Sequence, residues 1–239
     1  MSWTHPVEKY FHDLMMFDPK PYVGLPNFNK LTRSGLQYID IQVYTALKWY
    51  NNAVDNLCFP THETISERSG VCKKTVIASI KRLERSGVID VKRSDKKNKS
   101  NLYYFARPWH TNSLSKIPKD YFEATSELSS YESAMLLCVR QFFNEFRLQC
   151  HAPKAITHFA SELGLTREQV RKQFSSLISK GFVEERFVIY KKKDKVRTYY
   201  QLTNKVDWDF SMYEKPVKPY VRFDFLKYEC SKFGLLKVA

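Results

Sequence analysis

Two stretches of the chain carry basic and amide side chains at a spacing that suits contact with a polyanion. The first is GVCKKTVIASIKRLERSGVIDVKR at 70–93, and the second is GLTREQVRKQFSSLISKGFVEER at 164–186. In both, apolar residues recur at i, i+4 and i+7, so one face of a predicted helix is apolar and the opposite face is polar. A helix of this kind fits the major groove of DNA, where its N-terminal side chains face base edges.

The outward-facing residues of the two predicted helices are the candidate DNA contacts. Arginine and glutamine can make bidentate hydrogen bonds to guanine and adenine, and lysine can reach guanine or phosphate. The second stretch therefore holds the better set of residues for reading bases. The first stretch is better suited to contacting phosphates, although Ile77 and Ala78 can touch thymine methyl groups. The candidates are Lys73, Lys74, Thr75, Ile77, Ala78 and Lys81 in the first stretch, and Arg167, Glu168, Gln169, Arg171 and Lys172 in the second.

Each predicted helix is followed by a hairpin pattern with a lysine-rich turn. A basic hairpin tip beside a helix in a groove can hold phosphates on the flank of the site. Thr61 and His62, at the start of the preceding helix, can also donate hydrogen bonds to a phosphate at a helix N-terminus. The hairpin candidates are Lys96, Lys97 and Lys99, followed by Lys191, Lys192, Lys193, Lys195 and Arg197.

The positive charge of the chain is concentrated around these two stretches. The formal net charge is +14, and residues 60–107 hold 12 basic against 5 acidic groups. Residues 153–200 hold 11 against 5, which leaves 16 against 15 for the other 143 residues. A generally solvated basic surface would spread the charge, so the pattern favours double-stranded DNA as partner over a membrane surface or an acidic protein.

The elements that must position these residues follow the order helix, helix, tight turn, helix and basic hairpin. An amphipathic helix is predicted from Tyr38 to about residue 53, and Thr61 caps the next helix. Gly70 supplies the left-handed conformation of the turn. The third helix runs from about Cys72 to Ser86, and strands follow at 88–93 and 101–106. This order is that of a winged helix-turn-helix.

The same order occurs a second time along the chain. The two copies are offset by 93 residues in the first helix (Tyr38 and Tyr131), by 94 in the third (Val76 and Val170) and by 96 at the last strand. The length changes fall between elements, as a structural repeat predicts. The predicted fold class is therefore mainly α with small β-hairpin wings (α+β), built from two tandem winged helix-turn-helix domains.

The domain boundaries follow from these patterns and from the prolines. Residues 1–36 are predicted to be an irregular N-terminal arm, and residues 108–129 a linker with a short amphipathic piece around Tyr121 and Phe122. The domains then span 37–107 and 130–205. Residues 206–239 form a C-terminal tail with a short helix at 222–233.

Several other function classes find no support in the residues. The five cysteines form no CxxC pair, which predicts reduced thiols, a cytoplasmic location and no bound metal or other cofactor. Only seven glycines are present and none forms a phosphate-binding loop, and no carboxylate cluster suits Mg²⁺. The chain is therefore predicted not to be an enzyme. It also lacks a signal-peptide or membrane-spanning pattern.

The segment FPTHETISERSGVCKKTVIASIKRLERSGVIDVKR, followed by KSNLYYF, resembles the winged helix-turn-helix of replication initiators and replisome organisers of plasmids and phages. Cys72 departs from the serine that this family uses as the helix cap. The matching positions are Pro60-Thr61, Gly70-Val71-Cys72, Thr75-Val76, Leu83-Glu84, Gly87-Val88-Ile89 and Asn101-Leu102-Tyr103.

The resemblance implies a sequence-specific DNA-binding protein of a plasmid, phage or mobile element that acts as a replication initiator. Its partners would be double-stranded DNA, a second copy of the chain and host replication proteins. Winged helices of this type also occur in transcription regulators and in accessory factors of excision or mobilisation, so these roles stay open. A winged-helix module that binds proteins is a further alternative.

Overall fold

The structure, a computed structural model, describes residues 22–26, 34–51, 57–94, 100–105, 115–143, 148–190 and 195–210. The described residues up to Trp208 form one compact unit, and a second unit begins at Asp209. Among the described residues, no helix is long and apolar enough to span a membrane. The elements in chain order are β1 (Tyr22–Leu25), α1 (Tyr38–Trp49), β2 (Leu57–Cys58), α2 (His62–Ser69), α3 (Lys73–Arg85), β3 (Ile89–Lys92), β4 (Leu102–Phe105), β5 (Ser115–Pro118), α4 (Tyr121–Ala124), α5 (Ser130–Phe142), β6 (Gln149–His151), α6 (Ala152–Leu163), α7 (Arg167–Ser179), β7 (Val183–Tyr190) and β8 (Lys195–Leu202).

Capping groups and a glycine turn set the boundaries of the first helices. The backbone N–H of Gln37 donates to Asp40 at 2.8 Å at the start of α1. The N–H of Thr64 donates to the Thr61 hydroxyl at 3.1 Å at the start of α2. Gly70 ends α2 with a φ of 65°, a conformation that residues with a Cβ rarely adopt. The predicted cap at Thr61 and the predicted glycine turn are confirmed.

The second half of the chain repeats this order of elements. A left-handed glycine, Gly164, again stands between α6 and α7. Each half has a three-stranded antiparallel sheet, ordered β2-β4-β3 in the first and β6-β8-β7 in the second. The predicted helix-turn-helix architecture with small sheets is therefore observed. The division into two domains at the predicted boundaries stays a prediction, and the tail helix at 222–233 lies outside the described residues.

The third helix of each half turns its apolar stripe into the core, as the spacing predicts. Val76 in α3 and Val170 in α7 are completely buried. Tyr200 of β8 stacks on Phe174 of α7, with ring centroids 4.6 Å apart. Burying a side chain of this size stabilises the fold by about 1.5–3 kcal/mol, so these contacts hold each helix against its sheet.

The arm at 1–36 and the linker at 108–129 contain regular structure that was not predicted. Strand β1 lies within the arm and pairs antiparallel with β5, which lies within the linker. The prediction of an irregular arm was wrong for these residues, because a strand of four residues fits between the prolines at positions 21 and 26. The short amphipathic piece predicted around Tyr121 and Phe122 is observed as α4. Tyr121 is buried, and its hydroxyl donates to the Ser133 carbonyl at 2.7 Å.

Helices α1 and α5 are enclosed on all sides, whereas an amphipathic first helix was predicted. Every residue from 39 to 47 and from 133 to 140 is buried. The reason is that α1 and α5 pack against each other, so the polar face of each helix meets protein instead of water. Helix α1 also ends at Trp49, and residue 53, the predicted end, lies outside the described residues.

The polar side chains enclosed by this contact form a hydrogen-bonded network. The Gln42 amide nitrogen donates to the Ser69 carbonyl at 3.1 Å, and its amide oxygen accepts from the Ser133 hydroxyl at 3.1 Å. The network continues to Tyr121, whose hydroxyl lies 3.1 Å from that of Ser133. Because an unsatisfied polar group in this position would cost about 1–3 kcal/mol, the network favours one relative placement of the two halves.

Glu132 joins α5 to α7 through several hydrogen bonds. Its carboxylate accepts from Lys180 at 2.7 Å and from Ser176, and it also caps α5 at Ser129. Burial raises the pKa of Glu132, but these hydrogen bonds outweigh that effect and lower the pKa from its ordinary 4.5 to about 2. The carboxylate is therefore ionised whenever the protein is folded near neutral pH.

Glu132 is expected to make the protein sensitive to acid. The unfolded chain binds the proton of Glu132 more tightly than the folded one, so stability is lost as the pH falls from about 4.5 towards about 2. The loss should be on the order of 2 kcal/mol and should be much smaller in Glu132→Gln. Urea unfolding at about pH 6 and about pH 3 measures it. Glu127→Gln, which removes an exposed partner of Lys205, is the control. Equal acid sensitivity in the natural chain and in Glu132→Gln contradicts this role.

Candidate nucleic-acid interface

Helix α3 presents two of its predicted lysines to solvent with no ion-pair partner in the described part of the chain. Lys74 and Lys81 are exposed, and neither has an ion-pair partner among the described residues. Lys73 is also exposed, but it forms an ion pair with Glu63 of α2. Cys72 makes no side-chain cap, as its departure from serine predicts. Two lysines of α3 are therefore directly available to a polyanion, and the third must first leave Glu63.

The smaller candidates on α3 are less accessible than predicted. Thr75, Ile77 and Ala78 are half-buried, and the Thr75 hydroxyl lies 3.1 Å from the Cys72 sulfur. Partial burial leaves part of each side chain for contact with a thymine methyl group, although less than a fully outward position offers. The electrostatic part of the predicted α3 surface is therefore better supported than its apolar part.

An ion pair between α3 and α1 sets the position of α3. The Arg82 guanidinium donates to both carboxylate oxygens of Asp40, at 2.8 Å and 2.6 Å, and to the Ser79 hydroxyl at 3.1 Å. Asp40 is completely buried, whereas about a fifth of the Arg82 side chain is exposed. A bidentate pair of this geometry restrains both translation and rotation of the helix. Arg82 therefore has a positioning role and is not a candidate DNA contact.

Helix α7 exposes a longer row of candidates. Arg167, Glu168, Arg171 and Lys172 are all exposed and, among the described residues, have no ion-pair partner. Arginine is suited to bidentate contact with guanine. The first two turns of α7 therefore form an exposed surface in which three of four charged groups are basic.

Gln169 has a structural role that was not predicted. Its side-chain oxygen accepts from the Thr166 N–H at 2.8 Å, and the Thr166 hydroxyl accepts from the Gln169 N–H at 3.1 Å. This reciprocal pair is a capping box, which the spacing Thr-x-x-Gln indicates. A bidentate contact between Gln169 and adenine would require the amide oxygen to leave the cap. We therefore revise Gln169 from a base-reading candidate to a helix cap.

Gln169→Ala is expected to lower the stability of the protein, because it leaves the Thr166 N–H without its acceptor. The loss should be about 0.5–1 kcal/mol. Gln169→Glu is the matched control, since a carboxylate at this position keeps the acceptor, and its stability should equal that of the natural chain. Urea unfolding of both variants measures the difference. Equal stability of the alanine and glutamate variants contradicts the capping role.

The start of α2 holds the two remaining helix candidates. Thr61 is exposed, and its hydroxyl lies 2.9 Å from that of Thr64 while it caps the helix. His62 is half-buried, and burial is the main cause that lowers its pKa below 6.5, with Lys73 adding to the effect. His62 is therefore neutral at pH 7 and can offer an N–H, but not a positive charge, to a phosphate.

The hairpin candidates lie mostly outside the described residues. These are Lys96, Lys97, Lys99, Lys191, Lys192 and Lys193, and the side chain of Lys195, the first residue of β8, also lies outside the described part. Arg197 is exposed on β8, opposite Val188 of β7. The placement of the lysine-rich tips against a duplex therefore stays a prediction.

The second hairpin also carries exposed apolar residues that were not predicted as functional. Phe187, Val188 and Val196 are 65%, 44% and 60% exposed. The sequence signal was the apolar run directly after Arg186, in a hairpin longer than that of the first half. Their exposure shows that the described part of the chain does not cover these side chains.

Metal chemistry gains no support from the described part of the chain. It holds no group of three or more histidine, cysteine or carboxylate side chains that could bind a metal ion. Cys58, Cys72, Cys138 and Cys150 are all free thiols.

Comparison with known sequences gives one family match. Residues 35–89 match the sequence model of a family described as a helix-turn-helix domain. The matched segment covers α1 to α3 and thus includes the candidate helix α3. No curated protein matches the chain. The family match supports a helix-turn-helix DNA-binding fold for the first half of the chain.

Proposed function

We propose that the chain is a sequence-specific double-stranded DNA-binding protein in which two tandem winged helices insert α3 and α7 into major grooves. The observation that carries this proposal is the pair of exposed basic helix faces, each placed directly after a left-handed glycine. The first face also lies in the segment that matches the helix-turn-helix family. Linking two such modules makes the second contact intramolecular and can add ~10²–10⁴ in avidity.

The dependence of duplex binding on salt tests this proposal. Each phosphate that the protein neutralises should contribute about −0.9 to the slope of log K against log salt. With Lys74, Lys81 and Lys172 available to phosphates, we expect a slope of about −3 or steeper. The full chain is first used to select a duplex from a random-sequence library. Its affinity for that duplex is then measured by titration at several salt concentrations. A flat slope contradicts DNA binding through these faces.

We propose replication initiation in a plasmid, phage or mobile element as the role of this DNA binding. The support is the resemblance of residues 59–105 to the winged helices of replication initiators. Transcription regulation and an accessory role in excision or mobilisation use the same DNA chemistry and are the alternatives. Replication of a reporter plasmid that carries the selected site distinguishes them, because only an initiator should make that replication depend on the chain.

The chain itself is proposed to have no catalytic activity and to need no cofactor. An initiator of this kind would recruit ATPase and nuclease activities from host replication proteins, and it could also act as a homodimer. Assays of the purified full chain for nucleotide hydrolysis and DNA cleavage test this part of the proposal. Either activity, if lost in a variant of the chain, would contradict it.

A module that binds proteins is the second candidate function. The exposed apolar residues Phe187, Val188 and Val196 favour it, because apolar surface on a hairpin suits a protein contact. A flat salt slope together with protein binding that is lost in Phe187→Ser would support this candidate over DNA binding.

A further inference from the structure

The repeated unit includes a strand that precedes the first helix of each half. Strand β1 begins at Tyr22 and β5 at Ser115, which are 93 residues apart, and their last residues, Leu25 and Pro118, are also 93 apart. The same offset relates α1 to α5. The two strands are therefore equivalent positions of the repeat, although their sequences, YVGL and SKIP, show no similarity.

The pairing of these strands is unchanged when the two halves are exchanged. Tyr22, the first residue of β1, lies opposite the last residue of β5, and Leu25 lies opposite the first. Val23, the second residue of β1, lies opposite Ile117, the third of β5. An antiparallel pair in this register has a two-fold axis at its centre. Two halves related by a simple translation would not pair their equivalent strands in this antiparallel register.

The contact between α1 and α5 provides a second, independent sign of the same symmetry. Tyr38 and Tyr131 are the equivalent residues of the two helices, and their ring centroids lie 5.7 Å apart. An equivalent residue that meets its own counterpart is the mark of an isologous contact, whereas a head-to-tail contact brings unlike surfaces together. The β1–β5 pairing and the Tyr38–Tyr131 contact therefore both have two-fold character.

We infer that the two halves form a single-chain dimer around an approximate two-fold axis, and that its DNA site has two unlike half-sites in inverted order. The inference rests on the proposed function. Two recognition helices related by a two-fold axis dock in the same way on one straight duplex only where that axis meets a dyad of the DNA. A direct repeat does not provide such a dyad within the site of one chain.

The half-sites must differ in sequence because equivalent positions of α3 and α7 carry different side chains. Ile77 corresponds to Arg171 and Ala78 to Lys172, both 94 residues apart. The buried network from Gln42 through Ser133 to Tyr121 also holds the halves together. The distance between the half-sites should therefore be constant.

A chain in which α3 and α7 carry the same outward residues tests the inference. The variant gives α7 the outward residues of α3, and we expect selection from random duplexes to yield a palindrome. An inverted arrangement of two copies should bind about 10²-fold more tightly than a direct arrangement or a single copy. A selected direct repeat or a single half-site would overturn the inference. The substitutions are Arg167→Lys, Glu168→Lys, Gln169→Thr, Arg171→Ile, Lys172→Ala and Ser175→Lys.

The reciprocal variant keeps the inference testable if the first variant does not fold. It gives α3 the outward residues of α7, so the selected palindrome should then consist of the other half-site of the natural chain. Thermal unfolding of both variants and of the natural chain checks the fold. If none of the three chains enriches any duplex, the proposed function itself fails. If duplexes are enriched as direct repeats, DNA binding stands and only the two-fold arrangement is wrong. The reciprocal substitutions are Lys73→Arg, Lys74→Glu, Thr75→Gln, Ile77→Arg, Ala78→Lys and Lys81→Ser.

Discussion

Arg171→Ala is expected to weaken binding to the selected duplex about 10–100-fold and to relax base preference at one position, because a bidentate contact to guanine contributes about 1–3 kcal/mol. Lys74→Ala combined with Lys81→Ala should instead weaken binding to all duplexes alike, and should make the salt slope shallower by about 2. All three side chains are exposed and have no ion-pair partner within the described part of the chain. Their loss therefore leaves the packing of both helices intact.

Lys205→Ala is the control for the loss of one positive charge. Lys205 pairs with Glu127 outside the recognition helices, so this variant should bind DNA nearly as well as the natural chain. Fluorescence anisotropy measures the affinity of these three variants and of the natural chain for the selected duplex and for single-base variants of that duplex. If Arg171→Ala reduces affinity by the same factor on every duplex, α7 contacts phosphates and does not read bases. If Lys205→Ala matches both test variants, the effect reflects net charge alone.

Arg82→Ala is expected to lower the free energy of unfolding by about 3 kcal/mol, near the lower end of the range for breaking a buried ion pair. The substitution leaves the completely buried carboxylate of Asp40 without its bidentate partner. The N–H of Gln37 still donates to that carboxylate at 2.8 Å, which limits the loss. Urea unfolding of the full chain measures it.

Arg85→Ala is the matched control on the same helix. Arg85 is exposed and, among the described residues, has no ion-pair partner. Its substitution should therefore change stability by about 0.5 kcal/mol or less. Asp40→Asn combined with Arg82→Ala completes the comparison. It should be more stable than Arg82→Ala alone, because it removes the uncompensated charge. Equal effects of Arg82→Ala and Arg85→Ala would show that the pair does not hold α3 in place.

Local signals in the sequence predicted the recognition helices well. The apolar spacing in α3 and α7 and the cap at Thr61 depend on neighbours within a few residues, and the structure confirms each of them. The capping box between Thr166 and Gln169 is also local, and its spacing was readable. Gln169 was nevertheless interpreted by its chemistry as a base reader, which shows that an exposed amide has two competing uses near a helix start.

The contacts between the two halves could not be predicted from local pattern. The pairing of β1 with β5 joins residues 90 to 96 positions apart, and their sequences carry no common motif. The apolar spacing that begins at Tyr38 predicted an amphipathic first helix, which would have one side facing solvent. Periodicity shows which face is polar, but it does not show whether water or another polar group meets that face. Gln42 in fact meets Ser133.

Methylation interference at guanine N7 on the selected duplex tests the central claim most directly, since N7 lies in the major groove. We predict two separate clusters of interfering guanines, of which Arg171→Ala removes one and Lys74→Ala with Lys81→Ala weakens the other. Such a pattern means that α3 and α7 of one chain enter two major-groove segments of the same duplex. A single cluster, or two clusters that both variants affect equally, would contradict the account.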